Sequence, residues 1–181
     1  MKIIILLLLF WPWGWYPVDR ERGIPPGKTP DTVEHLSDYD IKLLAKLGVV
    51  ECRGMGEYVE DCTRSVVSTI LRRMDFYEET HGSFGLSDGT VYGTLDHNYQ
   101  GLWQFPPWVT RGCEFVSEEA CLDWVDLDPF VTYVKAYLDD RGAVCDGFLY
   151  YDSIPGGNSE CKIETPWGWI EFHQGWGWEP K

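Results

Sequence analysis

The chain has 181 residues, enough for one domain with a real core and too few for two independent ones. Its formal net charge of −14 argues against a nucleic-acid partner, because such binding rests on basic residues that neutralise phosphates. Six cysteines and only four histidines, with no CxxC pair and no His or Cys pairs at ligand spacing, point to disulfides and away from a zinc site; no cofactor or metal is expected.

Met1 to Phe10 carry one Lys and eight consecutive apolar residues, typical of a secretory signal core and too short to span a bilayer alone. Trp11-Pro12-Trp13-Gly14-Trp15 extends the run without a clear cleavage site, so residues 1–16 read either as a signal peptide or as an uncleaved membrane anchor with interfacial aromatics. Either way the chain is exported. Residues 17–30, with Pro25, Pro26, Gly27 and Pro30, read as a linker, and 31–181 as a single domain acting as a monomer.

Ser37 with Asp40 three places on forms a capping box, which predicts a helix start. Ile41, Leu44, Leu47 and Gly48 then repeat at helical spacing, and the same phase places Glu51 on the apolar stripe. Gly54 and Gly56 supply a stop, so Glu51 belongs to the last turn, pointing inward beside irregular chain. Desolvation there raises a carboxyl pKa and makes a candidate general acid. Buried Glu residues also serve structurally, paired with an Arg or capping a neighbouring helix, and the pattern alone leaves both readings.

Thr63, Val66, Val67, Ile70, Leu71 and Met74 make a stripe that suits a helix packed on one side against the first. The short Met55–Asp61 connection forces a helical hairpin and brings Glu57 and Glu60 near Glu51, where either would tune its pKa or simply be a solvated charge. Six cysteines allow fifteen connectivities. Their clustering favours the local pairs Cys52 with Cys62, Cys113 with Cys121, and Cys145 with Cys161.

His81 to Val91 is rich in Gly, Ser and Asp and reads as a mobile loop. In Gly101-Leu102-Trp103-Gln104-Phe105, the Gln amide suits sugar hydroxyls or an N-acetyl group and the aromatic faces suit sugar C–H bonds. A buried aromatic segment with Gln104 satisfied by backbone is the alternative. Ser117-Glu118-Glu119 opens a short helix through Trp124, and Asp128-Pro129 a cleaner one running to Gly142. Asp126 and Asp128 have loop-site spacing, but the other EF-hand residues are missing. Phe148 to Tyr151 and Trp167 to His173 read as strands of a small antiparallel sheet near the C-terminus, giving an α+β domain. Of the ten Trp, seven lie beyond the leader, some in the core and some flanked by Gly as open sugar-stacking faces.

The blocks Glu51-Cys52-Arg53-Gly54-Met55 and Ser65 to Met74, then Gln104-Phe105, then Leu149-Tyr150-Tyr151 and Ile170-Glu171-Phe172-His173, resemble the cell wall hydrolase family typified by the spore-cortex enzyme SleB. That family opens with a Glu, a small residue and Arg-Gly or Gly, followed by a helix ending in Leu-Asn-Arg. Gly101 to Phe105 also looks like the Gly-Leu-Met-Gln box of lysozyme-like lytic transglycosylases. The chain departs in its Arg72-Arg73, in a longer loop after Glu51, and in a terminal strand without the family's Gly.

The resemblance implies a lysozyme-like fold in which a helical hairpin carries the acid. It implies cleavage of peptidoglycan glycan strands at the MurNAc–GlcNAc bond, with Glu51 as catalytic acid/base and Glu57, Trp103, Gln104, Phe105, Tyr150, Tyr151 and His173 as substrate-binding residues. A single carboxylate suits lytic transglycosylation to 1,6-anhydro-MurNAc, whereas a hydrolase needs a second, for which Glu57 is the candidate. The competing class is a non-catalytic exported carbohydrate-binding module with Glu51 structural.

Overall fold

The first helix begins where Ser37 caps it. In the computed structural model, which describes residues 36–82, 85–99, 102–106, 108–112, 125–152, 160–165 and 168–174, α1 runs Asp38–Cys52. The Ser37 hydroxyl accepts the Asp40 amide at 3.2 Å, and the Asp40 carboxylate accepts the Ser37 amide at 3.0 Å, completing the capping box. A single 3-10 turn, Gly56–Tyr58, leads into α2, Val59–Glu79. A Cys52–Cys62 disulfide ties the end of α1 to the start of α2. The expected helical hairpin is present.

Its second helix differs from expectation. Between Thr63 and Asp75 every residue of α2 except Arg64 is buried, so this helix is the centre of the molecule rather than a one-sided layer. Beyond α1, it packs on α3 (Val91–Leu95), on α5 (Asp128–Asp140) and on the strand Tyr150–Asp152. The single stripe of large apolar residues concealed this because the other faces are closed by small or polar side chains, Ser65, Ser68 and Thr69, and by Arg72 and Arg73.

The Gly-rich stretch forms a loop over residues 85–90, as the sequence indicates, and side-chain hydrogen bonds hold it. Ser87 and Thr94 share a buried hydroxyl contact at 2.7 Å, Asp88 accepts the Thr90 amide, and Thr90 caps α3. A minimal hairpin follows, β1 (Asn98–Tyr99) antiparallel to β2 (Leu102–Trp103), then the short α4 (Trp108–Arg111). Arg111 and Thr110 both bond Asp96, fastening α4 to the end of α3.

α5 starts with Pro129 in its first turn and closes one residue before Gly142: Arg141 itself takes the left-handed conformation, at φ 54°. Its amide bonds the Tyr137 carbonyl, while the Gly142 amide is caught by Asp140.

The C-terminal sheet has three strands, one more than the sequence pattern indicates. β3 (Tyr150–Asp152) and β4 (Cys161–Thr165) flank β5 (Gly168–His173), all antiparallel. β4 is the unexpected one; Ile163 and Thr165 face inward while Lys162 and Glu164 face out, an alternation too short and polar to stand out. Cross-strand partners Tyr151, Phe172 and Cys161 share the face turned to the helices, and Tyr150 and His173 share the other.

The segment entering β3 is clipped to α2. The Cys145 amide bonds Ser65, the Gly147 amide bonds Ser68, and both Ser68 and Tyr137 donate to Asp146. A second disulfide joins Cys145 to Cys161. Both bridges agree with the local pairing read from the sequence. The third proposed bridge, Cys113 with Cys121, lies outside the described residues, as do the helix proposed over residues 117–124, the segments 1–16 and 17–30, and Trp167, Trp176 and Trp178. Among the described residues no helix is long and apolar enough to cross a membrane.

Candidate active site

Glu51 occupies the last turn of α1, on the half-buried side, with Cys52 behind it fixed in a disulfide. Burial raises its carboxyl pKa from 4.5 to about 7, and the Tyr151 hydroxyl pulls it down by a smaller amount. Among the described residues no cation forms an ion pair with it. That separates it from a structural Glu paired with an Arg. Nor does it cap any of the helices whose N-caps are described.

Tyr151 comes from β3, on the sheet face turned to the helices. It packs its ring 5.9 Å from Phe172 and 6.2 Å from Phe105, which holds the phenol in place. Burial and the neighbouring carboxyl both push its own pKa well up, so it is a neutral donor throughout the physiological range. Its oxygen is buried without a partner in full hydrogen-bonding geometry. The approach to Glu51 is therefore looser than a formed hydrogen bond, as is common for an acid awaiting substrate.

The remaining residues gather round a side chain to which the sequence reading assigned no role. Arg73 lies on α2 and is only 4% exposed. Its Nε donates to the Leu149 carbonyl at 2.7 Å and its Nη1 to Gln104 Oε1 at 3.4 Å. The guanidinium sits 5.3 Å from the Phe105 ring centre and 5.5 Å from that of Tyr150. Tyr150 in turn stacks on His173 at 5.5 Å with 12° between the rings. Among the described residues no carboxylate pairs with Arg73, and burial lowers its pKa. The adjacent Arg72 is different, since it forks onto Glu79 at 3.0 and 3.1 Å.

A signal for Arg73 existed. It stands three places after Ile70 and seven after Val66, on the phase of the buried stripe. In the family resemblance it also stands where the Arg of Leu-Asn-Arg falls.

The sequence-derived set thus divides into two linked groups. Glu51, Tyr151 and Phe105 form one; Gln104, Tyr150 and His173 form the other; Phe105 and Arg73 join them. Trp103 is placed by its backbone in β2, directly before Gln104. Glu57 stands apart, exposed on the 3-10 turn, and contributes nothing resolvable to the Glu51 pKa, whose causes are burial and Tyr151. His97 adjoins the second group: its carbonyl accepts the Gln104 amide at 3.3 Å, and burial together with Arg73 lowers its pKa. No cluster among the described residues has the ligands to hold a metal ion.

Chemically, the arrangement offers one proton donor near neutral pH, a phenol able to steady the resulting carboxylate, and an amide joined through Arg73 to a pair of stacked aromatic rings. The chain matches no protein-family model, no curated protein and no solved structure.

Proposed function

We propose that the protein is an exported, lysozyme-like enzyme that cleaves peptidoglycan glycan strands, with Glu51 as a single general acid/base. The observation that carries this reading is the Glu51 carboxyl, half-buried, unpaired with any described cation and held at a pKa of about 7. An acid of that strength is protonated in about half the molecules at neutral pH, the balance at which one group both gives and takes a proton well.

Protonated Glu51 donates to the oxygen bridging MurNAc C1 and the next sugar, that C–O bond breaks, and an oxocarbenium-like centre develops at C1. The carboxylate left behind accepts a hydrogen bond from Tyr151. It then takes the proton of the muramyl 6-hydroxyl as that oxygen attacks C1, which closes the 1,6-anhydro ring and returns Glu51 to its acid form. No water is consumed. A single group serves this route, and among the described residues no second carboxylate contributes to the Glu51 pKa. Gln104 and the Tyr150–His173 stack supply the polar and aromatic contacts that a sugar ring uses, with Phe105 buried behind them against Arg73 and Tyr151. The two disulfides are compatible with the oxidising, extracytoplasmic setting of such a substrate.

Incubating the oxidised protein and its Glu51→Gln variant with purified peptidoglycan, followed by mass spectrometry of released fragments, tests the reading. Anhydro-muramyl ends from the parent alone support it. Reducing ends convert it to hydrolysis and call for a second carboxylate. Glycan bound and left whole establishes the binding-module alternative.

A further inference from the structure

We infer that Arg73 is a positioning residue that fixes Gln104 as a donor-only contact, so that the site selects glycans bearing a carbonyl-type oxygen; this rests on the glycan reading above. A Gln side chain ordinarily presents either its oxygen or its NH2 group, because the two ends have nearly the same shape. Arginine removes the choice. It has five N–H donors and no acceptor, and its Nη1 faces Gln104 Oε1 at 3.4 Å.

The guanidinium cannot swing away. Its Nε is held by the Leu149 carbonyl at 2.7 Å, and the rings of Phe105 and Tyr150 flank it at 5.3 and 5.5 Å. The backbone of Gln104 is fixed separately through its amide on the His97 carbonyl. With the oxygen turned toward Arg73, the half-exposed Gln104 has Nε2 left over, taken by no acceptor among the described residues. Two donors, on an amide that shares Arg73 with the Tyr150–His173 stack, then await an acceptor on the ligand. Sugar hydroxyls both donate and accept, so they satisfy such a contact without being selected by it. A carbonyl or carboxylate oxygen accepts only, and is selected. On a glycan of this class it is either the acetamido carbonyl or the carboxylate of the lactyl or peptide substituent, and the acetamido group is the one every sugar of the strand carries.

The test is calorimetric binding to the full chain carrying Glu51→Gln, alone and with Gln104→Met, Arg73→Lys or both. The ligands are N-acetylglucosamine oligomers, glucosamine oligomers of equal length at pH 8, and soluble peptidoglycan fragments. Thermal unfolding is followed for each protein. The expected result is a preference of about tenfold or more for the acetylated oligomer, the worth of one well-placed hydrogen bond. Gln104→Met should abolish it, and Arg73→Lys should reduce it in the Gln104 background but not in the Gln104→Met background. A merely structural Arg73 would weaken binding equally in both, and that result overturns the inference. If Arg73→Lys fails to fold, Gln104→Met alone decides, since an unchanged preference refutes a donor contact.

Gln104-dependent binding of peptidoglycan fragments without binding of either oligomer supports the donor contact and assigns its acceptor to the carboxylate. Tight binding that ignores acetylation overturns the inference while leaving the glycan reading intact. Acetyl-dependent binding by a parent that cleaves nothing preserves the inference and removes the enzymatic reading. Absence of binding to all three ligands overturns both.

Discussion

The Tyr151 hydroxyl is near enough to the Glu51 carboxyl, short of a formed hydrogen bond, to oppose the burial that raises its pKa, while the carboxyl pushes the phenol upward in return. Both shifts have the sign of a phenol donating to a carboxylate. Removing the hydroxyl takes away the one group among the described residues that stabilises the charged acid, so Tyr151→Phe should move the Glu51 pKa above 7. In a profile of kcat/KM for glycan cleavage, the limb that falls as the acid loses its proton should shift to higher pH. The rate below that limb should drop by about tenfold, as expected for loss of one hydrogen bond to a developing charge. A limb that moves to lower pH, or stays in place, would show that Tyr151 does not act on the acid.

The same raised pKa has a consequence for stability. In the unfolded chain Glu51 titrates near 4.5, in the folded one near 7, so the folded state holds its proton more tightly. The contribution is fully present below about pH 4.5, is lost as pH rises toward 7, and stays lost above it. At pH 8 the buried carboxylate therefore destabilises the fold, by an upper value of about 3 kcal/mol for a shift of this size. Glu51→Gln, with an isosteric amide that never ionises, should recover part of this at pH 8 and little at pH 4. Urea unfolding at the two pH values gives the comparison; equal effects at both would mean that the acid is not desolvated.

The Cys52–Cys62 bridge immediately follows the acid and closes a loop with a sequence separation of 10. In the chain-entropy account such a loop contributes about 3 kcal/mol. Replacing both cysteines by Ser should lower stability by that order and loosen the last turn of α1. Activity should therefore fall at temperatures well below global unfolding, measured by comparing thermal inactivation with thermal unfolding by circular dichroism. In the Cys145–Cys161 pair, which staples β4 to the chain before β3, the same change should cost stability without that early loss.

What the sequence discloses of this architecture is what local physics decides. Ser37 and Asp40 are three residues apart and satisfy each other, so the start of α1 is visible from a tetrapeptide. The phase of Glu51 follows from a few apolar residues on the same helix, and the two observed disulfides join cysteines close in the chain. Arg73 is the opposite case. Its position on the buried phase is readable, but its role depends on Gln104, 31 residues away, and on Leu149, 76 away, and no local pattern announces such partners. The central position of α2 is hidden for the same reason, since Ser65 and Ser68 look solvent-facing until residues 145–147 are seen to bond them. Helix α3 escaped because its five residues lie beside a Gly-rich turn that masks the Thr90 cap.

Gly48 marks where three helices meet. A Cβ built there would lie 2.7 Å from Thr63 Cγ2 and 3.0 Å from Phe130 Cδ1, so α1, α2 and α5 approach this closely because the position has no side chain. Thr63 has no easy retreat, being buried with its hydroxyl bonded to the Val59 carbonyl at 2.7 Å. Alanine at 48 would gain about 1 kcal/mol of helix propensity over glycine. The overpacking it causes costs about 1–3 kcal/mol and should prevail, because the displaced atoms belong to a packed core. Gly48→Ala is therefore expected to lower the urea midpoint and not to raise it, and Gly48→Val to do so further. Combining Gly48→Ala with Thr63→Ser, which removes the offending methyl, should restore a large part of the loss. A Gly48→Ala variant more stable than the parent would mean that the three helices pack less tightly here than the contacts at Thr63 and Phe130 require.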